Sequence, residues 1–397
     1  MIFFDNPGVG TVTTPRQVMM GDGASAKLAD LLKGWQVQPA RVLLVADHEV
    51  TKLGLIDAIK GPLVAGGFEA AVFDAIVGEP LLETALDLTD FARGQAFGAV
   101  VGVGGGSAMD MAKLAAALIT NTGGVKDYLG AVTFPKAPLP LALVPTTAGT
   151  GAEATSVSML SIEGRKSIVV SPQLIPQAAV LDPSLTLSLP PQVTAATGLD
   201  ALSHACEAYM SIRANPFTDG HALTAAGIIA RWLKTAYEDG ANMEARRAMI
   251  FAAYLGGLCL NAGVVVGHSV AYTISNRTRT PHGISCTMAL PYTILLNRQV
   301  KPERLKALAE VALKSPGATA EDLALWIDDL NACLGMPRSL KEIGIEAAGL
   351  DEMVEECLTR YPRPTNPVAL SRERLKPLYE AMHAGDVRGF AQTVSKV

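Results

Sequence analysis

Residues 97–107 read Phe97-Gly98-Ala99-Val100-Val101-Gly102-Val103-Gly104-Gly105-Gly106-Ser107, and this stretch decides the fold class. A short valine-rich run opens into three glycines. A run of that length and composition predicts a strand buried on both faces, as in a parallel sheet. Ala108 to Ile119 then has helical period, so the glycines sit where a strand hands over to a helix. Without Cβ atoms the backbone there can approach a phosphate, and a helix N-terminus offers free N–H groups and a positive dipole end. Ser107 can cap that helix or donate to the phosphate. The run is not the GxGxxG fingerprint, and alone it reads equally well as a tight strand–helix turn.

Outward from this point the first ~185 residues alternate strand-like and helix-like runs. Arg41 to Ala46 is an apolar strand ending at Asp47, Ala71 to Phe73 is a weaker strand, and Leu139 to Val144 is a strand closed by Pro145. Leu81 to Arg93 reads as a helix between them. Alternation of this kind predicts a parallel sheet covered on both faces. After Pro190-Pro191 the texture changes to long Ala- and Leu-rich helical runs: Gln192 to Met210, Thr218 to Tyr237, Met243 to Cys259 and Pro302 to Lys314. The expected architecture is an α/β domain over residues 1–188 and an all-helical domain over residues 189–397.

Bulk properties exclude several classes. The chain has 397 residues, 49% hydrophobic and 18% charged, enough for about two packed domains and too apolar for disorder. A formal net charge of -5 gives no global attraction to nucleic acid or to an anionic membrane. No apolar run reaches the roughly 18 residues that span a bilayer. The start, MIFFDNPGVG, lacks a basic region followed by an apolar stretch, so no signal peptide is expected. Cys206, Cys259, Cys286, Cys333 and Cys357 are odd in number, widely spaced and never in a CxxC pair. They read as buried free thiols in a reducing compartment, with the cytoplasm as the default.

Three further features carry chemistry. Pro145-Thr146-Thr147-Ala148-Gly149-Thr150-Gly151-Ala152-Glu153 follows a strand and supplies a second rim of small and hydroxyl residues. In open α/β sheets ligands bind beyond the carboxyl ends of strands, so this loop and the glycine loop are expected to face one crevice. Asp47 ends its strand where a carboxylate commonly binds a ribose 2′-OH and repels a 2′-phosphate, which favours NAD over NADP. Asp200 and His204 are four residues apart on a predicted helix and share a face, and His268 and His282 follow. One carboxylate and three imidazoles suit Fe(II) or Zn(II) with room for a substrate oxygen. Each of them taken singly is more often a packed or solvated residue.

The segments GGGSAMDMAK, PTTAGTGAE, ATGLDALSHACEAY, and GHSV followed by TPHGISCTMALP resemble the iron-containing alcohol dehydrogenases in order and spacing. The resemblance runs from the strand near Arg41 to Asn366-Pro367. It implies a dehydroquinate synthase-like fold, an α/β nucleotide-binding domain followed by an all-α metal-binding domain. It implies that Asp200, His204, His268 and His282 bind Fe(II), sometimes Zn(II). It implies that Gly105, Gly106 and Ser107 meet the pyrophosphate of NAD(H), with Gly104 and Asp110 in the same motif. Thr146, Thr147, Thr150 and Thr155 would line the cofactor cleft, and Lys166 would approach the nicotinamide ribose. The metal would polarise the oxygen of an alcohol or aldehyde while the cofactor carries the hydride. Homodimers are common in the family.

The sequence departs from the family pattern in three places. Many relatives carry another histidine four residues after the second metal histidine; here that position is Tyr272, either a proton relay or filler. Ser275 to Thr280 holds Arg277 and Arg279 close to the third metal histidine. Two guanidinium groups there could bind an anionic or polar substrate group, since the fork matches carboxylates, phosphonates and sulfonates, or could point to solvent or pair with an acid. Glu79 precedes Pro80 where relatives often have Asn near the cofactor. The competing readings are a maleylacetate reductase-like or dehydroquinate synthase-like enzyme on the same fold, and a non-catalytic binding protein.

Overall fold

In the computed structural model, which describes residues 2–6, 8, 10–278 and 280–394, the valine run is a strand. Along the chain the strands are β1 (Gln17–Met20), β2 (Arg41–Asp47), β3 (Glu69–Ile76), β4 (Ala99–Gly104), β5 (Gly130–Ala131), β6 (Leu141–Pro145), β7 (Val157–Ile162), β8 (Arg165–Val170) and β9 (Ala178–Leu181). Six of them form a sheet in the order β1-β9-β6-β4-β2-β3, parallel throughout. β5, β8 and β7 form a small separate sheet. Sequence reading found the central strands but neither β1 and β9 nor the small sheet. β1 and β9 have only four residues each, too short to show a period.

Alternation along the central strands builds the core on both faces of the sheet. Leu43, Val45 and Val100 pack on one side with Leu114, Leu118 and Phe91. Val42, Leu44, Val101 and Val103 pack on the other with Leu28, Leu32, Ile59 and Leu63. Each fully buried aliphatic side chain contributes about 1.5–3 kcal/mol of burial free energy. Both faces are therefore apolar, which is why β2 and β4 read as unbroken hydrophobic runs.

The chain divides into two compact units. One spans Val12–Leu189 and holds both sheets. The other comprises Pro190–Val397 together with the N-terminal segment through Thr11. The boundary near Pro190 matches the change in sequence texture, but the first eleven residues pack with the helical unit. Polar anchors explain this placement. Asn6 donates to the carbonyls of Ile212 and Ala214 at 3.2 Å, and Asp5 pairs with Arg304 at 3.1 Å. Nothing in the composition of residues 1–11 signals such long-range bonds.

The helical unit includes Pro191–Met210, Pro216–Glu238, Met243–Cys259, Val266–Ser275 and His282–Asn297. Among the described residues no single helix is long and apolar enough to cross a membrane. All five cysteines are unpaired; four are buried as expected, whereas Cys333 is exposed.

Candidate active site

Helix Pro191–Met210 presents Asp200, His204 and Glu207 on one buried face. His268 lies on helix Val266–Ser275, and His282 opens helix His282–Asn297. Gly283 lets the last helix close on the first, because a Cβ there would stand 2.2 Å from the Ala196 carbonyl oxygen and 3.0 Å from Asp200 Cβ. Asp200, His268, His282 and Cys286 each offer a donor atom, and these atoms lie within 4.8 Å of one another. His204 adjoins them: its Nε2 is 3.7 Å from Asp200 Oδ1, and its ring stacks on His268 at 5.1 Å. The structure thus gathers three of the four residues expected at the metal, Asp200, His268 and His282, sets His204 beside them, and adds Cys286 to the set. Its sequence signal was its place one helical turn after His282, on the same face.

The donors fit a cation. Asp200 Oδ1, His204 Nδ1 and His268 Nε2 are buried without hydrogen-bond partners. Burying such atoms unsatisfied is costly, and a metal ion would satisfy them. His268 Nδ1 is occupied by Glu207 Oε1 at 2.7 Å, while Glu207 Oε2 accepts the N–H groups of Val265 and His268 at 2.9 and 3.3 Å. That leaves His268 Nε2 for the cluster, the outer-shell arrangement typical of metal-bound histidine. Burial first, then His204 nearby, holds the His268 imidazole well below its ordinary pKa, so it is neutral and able to ligate. Burial pushes Asp200 upward, but the three histidines outweigh it and the net direction is down. Burial pushes the Glu207 carboxyl up to about 8, opposed by the N–H groups and by Arg363; a cation at the cluster would lower it further.

Tyr272 stacks on His282 at 5.3 Å and is tilted against Tyr361 at 5.1 Å. Burial pushes its hydroxyl up to about 12, so it holds its proton and is a poor base. Of the two readings offered for it, Arg277 shows the pairing with an acid. It forms an ion pair with the buried Glu356, donates to the Thr273 carbonyl at 3.1 Å and reaches Glu352 at 3.9 Å. Glu356 captures it because a buried carboxylate needs a cation. Arg279 lies outside the described residues.

The α/β unit builds the nucleotide-binding candidate. Gly104 ends β4 with φ +149°, and a Cβ there would meet Asp47 Oδ2 at 2.5 Å. Gly105 caps the helix Gly106–Thr120. Ser107 is therefore within the first turn and does not act as the cap. Asp47, at the end of the neighbouring β2, accepts the Val50 N–H at 2.9 Å and the Gly105 N–H at 3.4 Å. A Cβ on Gly105 would lie 3.6 Å from Thr147, and one on Gly106 would lie 2.9 Å from Thr150, so the two loops face each other as expected. Thr146 donates its N–H to the Gly104 carbonyl at 3.0 Å.

Three residues expected to touch the cofactor have partners within the protein. Thr155 accepts from the buried Lys113 at 2.9 Å. Asp110 accepts the Met159 N–H at 3.1 Å and lies 3.6 Å from Lys113. Lys166 is ion-paired with Glu79, which also takes the Ser161 hydroxyl. Lys113, within the GGGSAMDMAK segment but assigned no role from sequence, ties the helix to β7 by donating to the Val157 carbonyl at 2.6 Å. Its burial marks it as the cation that this joint requires.

A parallel α/β unit with a glycine turn at its strand ends, followed by a helical unit with a buried cluster of carboxylate, imidazole and thiol donors, defines the dehydroquinate synthase-like class. The family model for iron-containing alcohol dehydrogenase matches residues 15–183, and that for the Fe-containing alcohol dehydrogenase family, C-terminal, matches residues 194–383. Long-chain-alcohol dehydrogenase 1 of Geobacillus thermodenitrificans is 36% identical over 389 residues, 96% of this chain and 98% of that protein. A crystal structure of 1,3-propanediol oxidoreductase superposes with a TM-score of 0.89 at 30% identity, covering 94% of this chain and 100% of the other. Sulfoacetaldehyde reductase from Bifidobacterium kashiwanohense, solved in complex with NAD+, gives 0.85 at 28% identity, covering 95% and 99%. The chain belongs to the iron-containing alcohol dehydrogenase family, whose members pass a hydride between NAD(H) and an alcohol–aldehyde pair.

Proposed function

We propose that this enzyme interconverts an aldehyde bearing a polar or anionic group and its alcohol, using NAD(H) and an Fe(II) or Zn(II) ion held by Asp200, His204, His268 and His282. The observation that carries this reading is the pair of buried, unpartnered donors Asp200 Oδ1 and His268 Nε2. When bound, the cation supplies Lewis acidity to the substrate oxygen. Glu207 orients His268. Tyr272 covers His282 and keeps its proton. The Gly104–Ser107 turn receives the pyrophosphate at the helix N-terminus, where Ser107 has no capping duty to compete with it. Asp47 receives the adenosine ribose hydroxyls. Cys286 among the donors adds a soft ligand type, which supports Zn(II) as an alternative to Fe(II). The Bifidobacterium relative named as a sulfoacetaldehyde reductase supports a substrate with an anionic tail.

The test is anaerobic reconstitution with Fe(II) or Zn(II), followed by NADH oxidation against neutral and acidic aldehydes. Metal-dependent turnover that is lost in Asp200→Ala is expected; turnover indifferent to metal would overturn the reading. A homodimer is proposed from family habit and is checked by light scattering. A reducing, cytoplasmic location is proposed on five unpaired cysteines.

A further inference from the structure

Arg277 cannot read a substrate anion while it is bound to Glu356, but another cation stands near the donor cluster. Arg363 is that cation. Its guanidinium carbon lies 5.5 Å from the centre of the Tyr272 ring, and Tyr272 stacks on His282. Its Nε is buried with no hydrogen-bond partner, and its polar neighbour is the Tyr272 side chain, not a carboxylate. Glu207, the buried acid of the cluster, has its oxygens engaged by His268 and by the two backbone N–H groups.

The segment around Arg363 is held in place. Pro362 and Pro364 flank it and restrict its backbone. The Tyr361 carbonyl accepts the Ser269 hydroxyl at 2.6 Å, from the helix that carries His268. Thr365 donates to the Val264 carbonyl at 2.6 Å, and Asn366 accepts the Val266 N–H at 3.3 Å. The guanidinium is thus carried on a loop bonded directly to the metal-site helix. A partly buried, unpaired cation on so fixed a support is costly unless it has a task.

We infer that Arg363 binds the anionic end of the substrate, a carboxylate, sulfonate or phosphonate, while the aldehyde oxygen lies at the Asp200–His268–His282 cluster. This deepens the proposed function and rests on it. Arg363 and His282 both lie against the Tyr272 ring, at 5.5 and 5.3 Å from its centre, which suits an aldehyde of a few carbons with its charge at the far end. A guanidinium matches such oxyanions through two parallel N–H groups, and a partly water-excluded position strengthens the pairing.

The test compares a short ω-carboxy aldehyde with its methyl ester, a neutral partner of similar shape, using metal-loaded enzyme. In Arg363→Ala the ratio of kcat/KM for acid over ester is expected to fall about 10- to 100-fold, the loss of one charge-assisted contact. Arg363→Lys should fall in between, because the charge remains but the fork is gone. A ratio unchanged in both variants, with turnover intact, overturns the inference and leaves the proposed function standing. If no aldehyde is turned over, calorimetry with the corresponding dicarboxylate decides separately. Binding lost in both variants then supports Arg363 while the hydride-transfer reading fails; binding equal to that of the unaltered enzyme overturns the inference. Melting curves of Arg363→Lys establish that the fold is kept.

Discussion

Glu207 Oε1 lies 2.7 Å from Nδ1 of His268, joining helix Pro191–Met210 to helix Val266–Ser275 and fixing which imidazole nitrogen faces the donor cluster. Glu207→Gln keeps the volume but replaces one acceptor oxygen with an amide. Metal affinity is expected to fall 10- to 100-fold, as it does when outer-shell partners of metal-bound histidine are changed. Chelator competition with Zn(II) measures it, and an unchanged affinity would show that Glu207 only fills space.

The glycine turn separates stability from cofactor binding. Gly104→Ala places a Cβ at positive φ and 2.5 Å from Asp47 Oδ2, so the folded state should lose about 1–3 kcal/mol. At Gly105 the added Cβ meets Thr147 only at 3.6 Å. Gly105→Ala should therefore melt near the parent temperature yet bind NADH at least about tenfold more weakly, because the methyl occupies the path of the pyrophosphate. Fluorescence titration and thermal melts together separate the two.

Glu153 predicts a pH-dependent stability. Burial raises its carboxyl from 4.5 to about 7, and Lys113 offsets only part of this. The folded protein then binds this proton more tightly than the unfolded chain does, so stability falls as pH rises from about 4.5 through about 7. The full difference is about 3 kcal/mol. Glu153→Gln should flatten the slope. Urea unfolding at about pH 5 and about pH 8 reads it, and a slope equal to that of the parent would assign the effect to other groups.

Arg277 is expected to govern stability and not specificity. Arg277→Ala leaves the buried Glu356 with only Asn276 at 2.7 Å and the more distant Arg360 at 3.8 Å, at a cost of about 1–3 kcal/mol. The preference for the acid over the ester should stay as in the parent. A collapse of that preference would return the substrate anion to Arg277.

Cys286 should report occupancy of the cluster. Its sulfur lies among ligand atoms within 4.8 Å of one another, so a Co(II)-loaded protein should show a thiolate-to-metal charge-transfer band in the near ultraviolet. That band is expected to vanish in Cys286→Ser. A Co(II) spectrum without it in the parent would place the cysteine outside the coordination sphere.

By itself the sequence determined the fold class, the change of texture at Pro190 and three of the residues that gather in the buried donor cluster. Those features are local: strand and helix periods, a glycine turn after β4, and histidines on helix faces are all set within a few residues. It also placed the Gly104–Ser107 turn and the Thr146–Thr150 loop at strand ends facing one crevice, while the approach of Asp47 to that turn came from the pairing of β2 with β4. Tertiary structure alone decided which charges are free. Arg277 and Arg363 are indistinguishable as letters, yet one is bound by Glu356, 79 residues away, and the other is not. Lys166 pairs with Glu79 and Thr155 accepts from Lys113, partners that no local pattern announces. Cys286 became a candidate ligand only when two helices closed over Gly283. The physical reason is common to all of these. A side chain's chemistry follows from what satisfies its charge and hydrogen bonds, and for buried groups those partners come from distant parts of the chain.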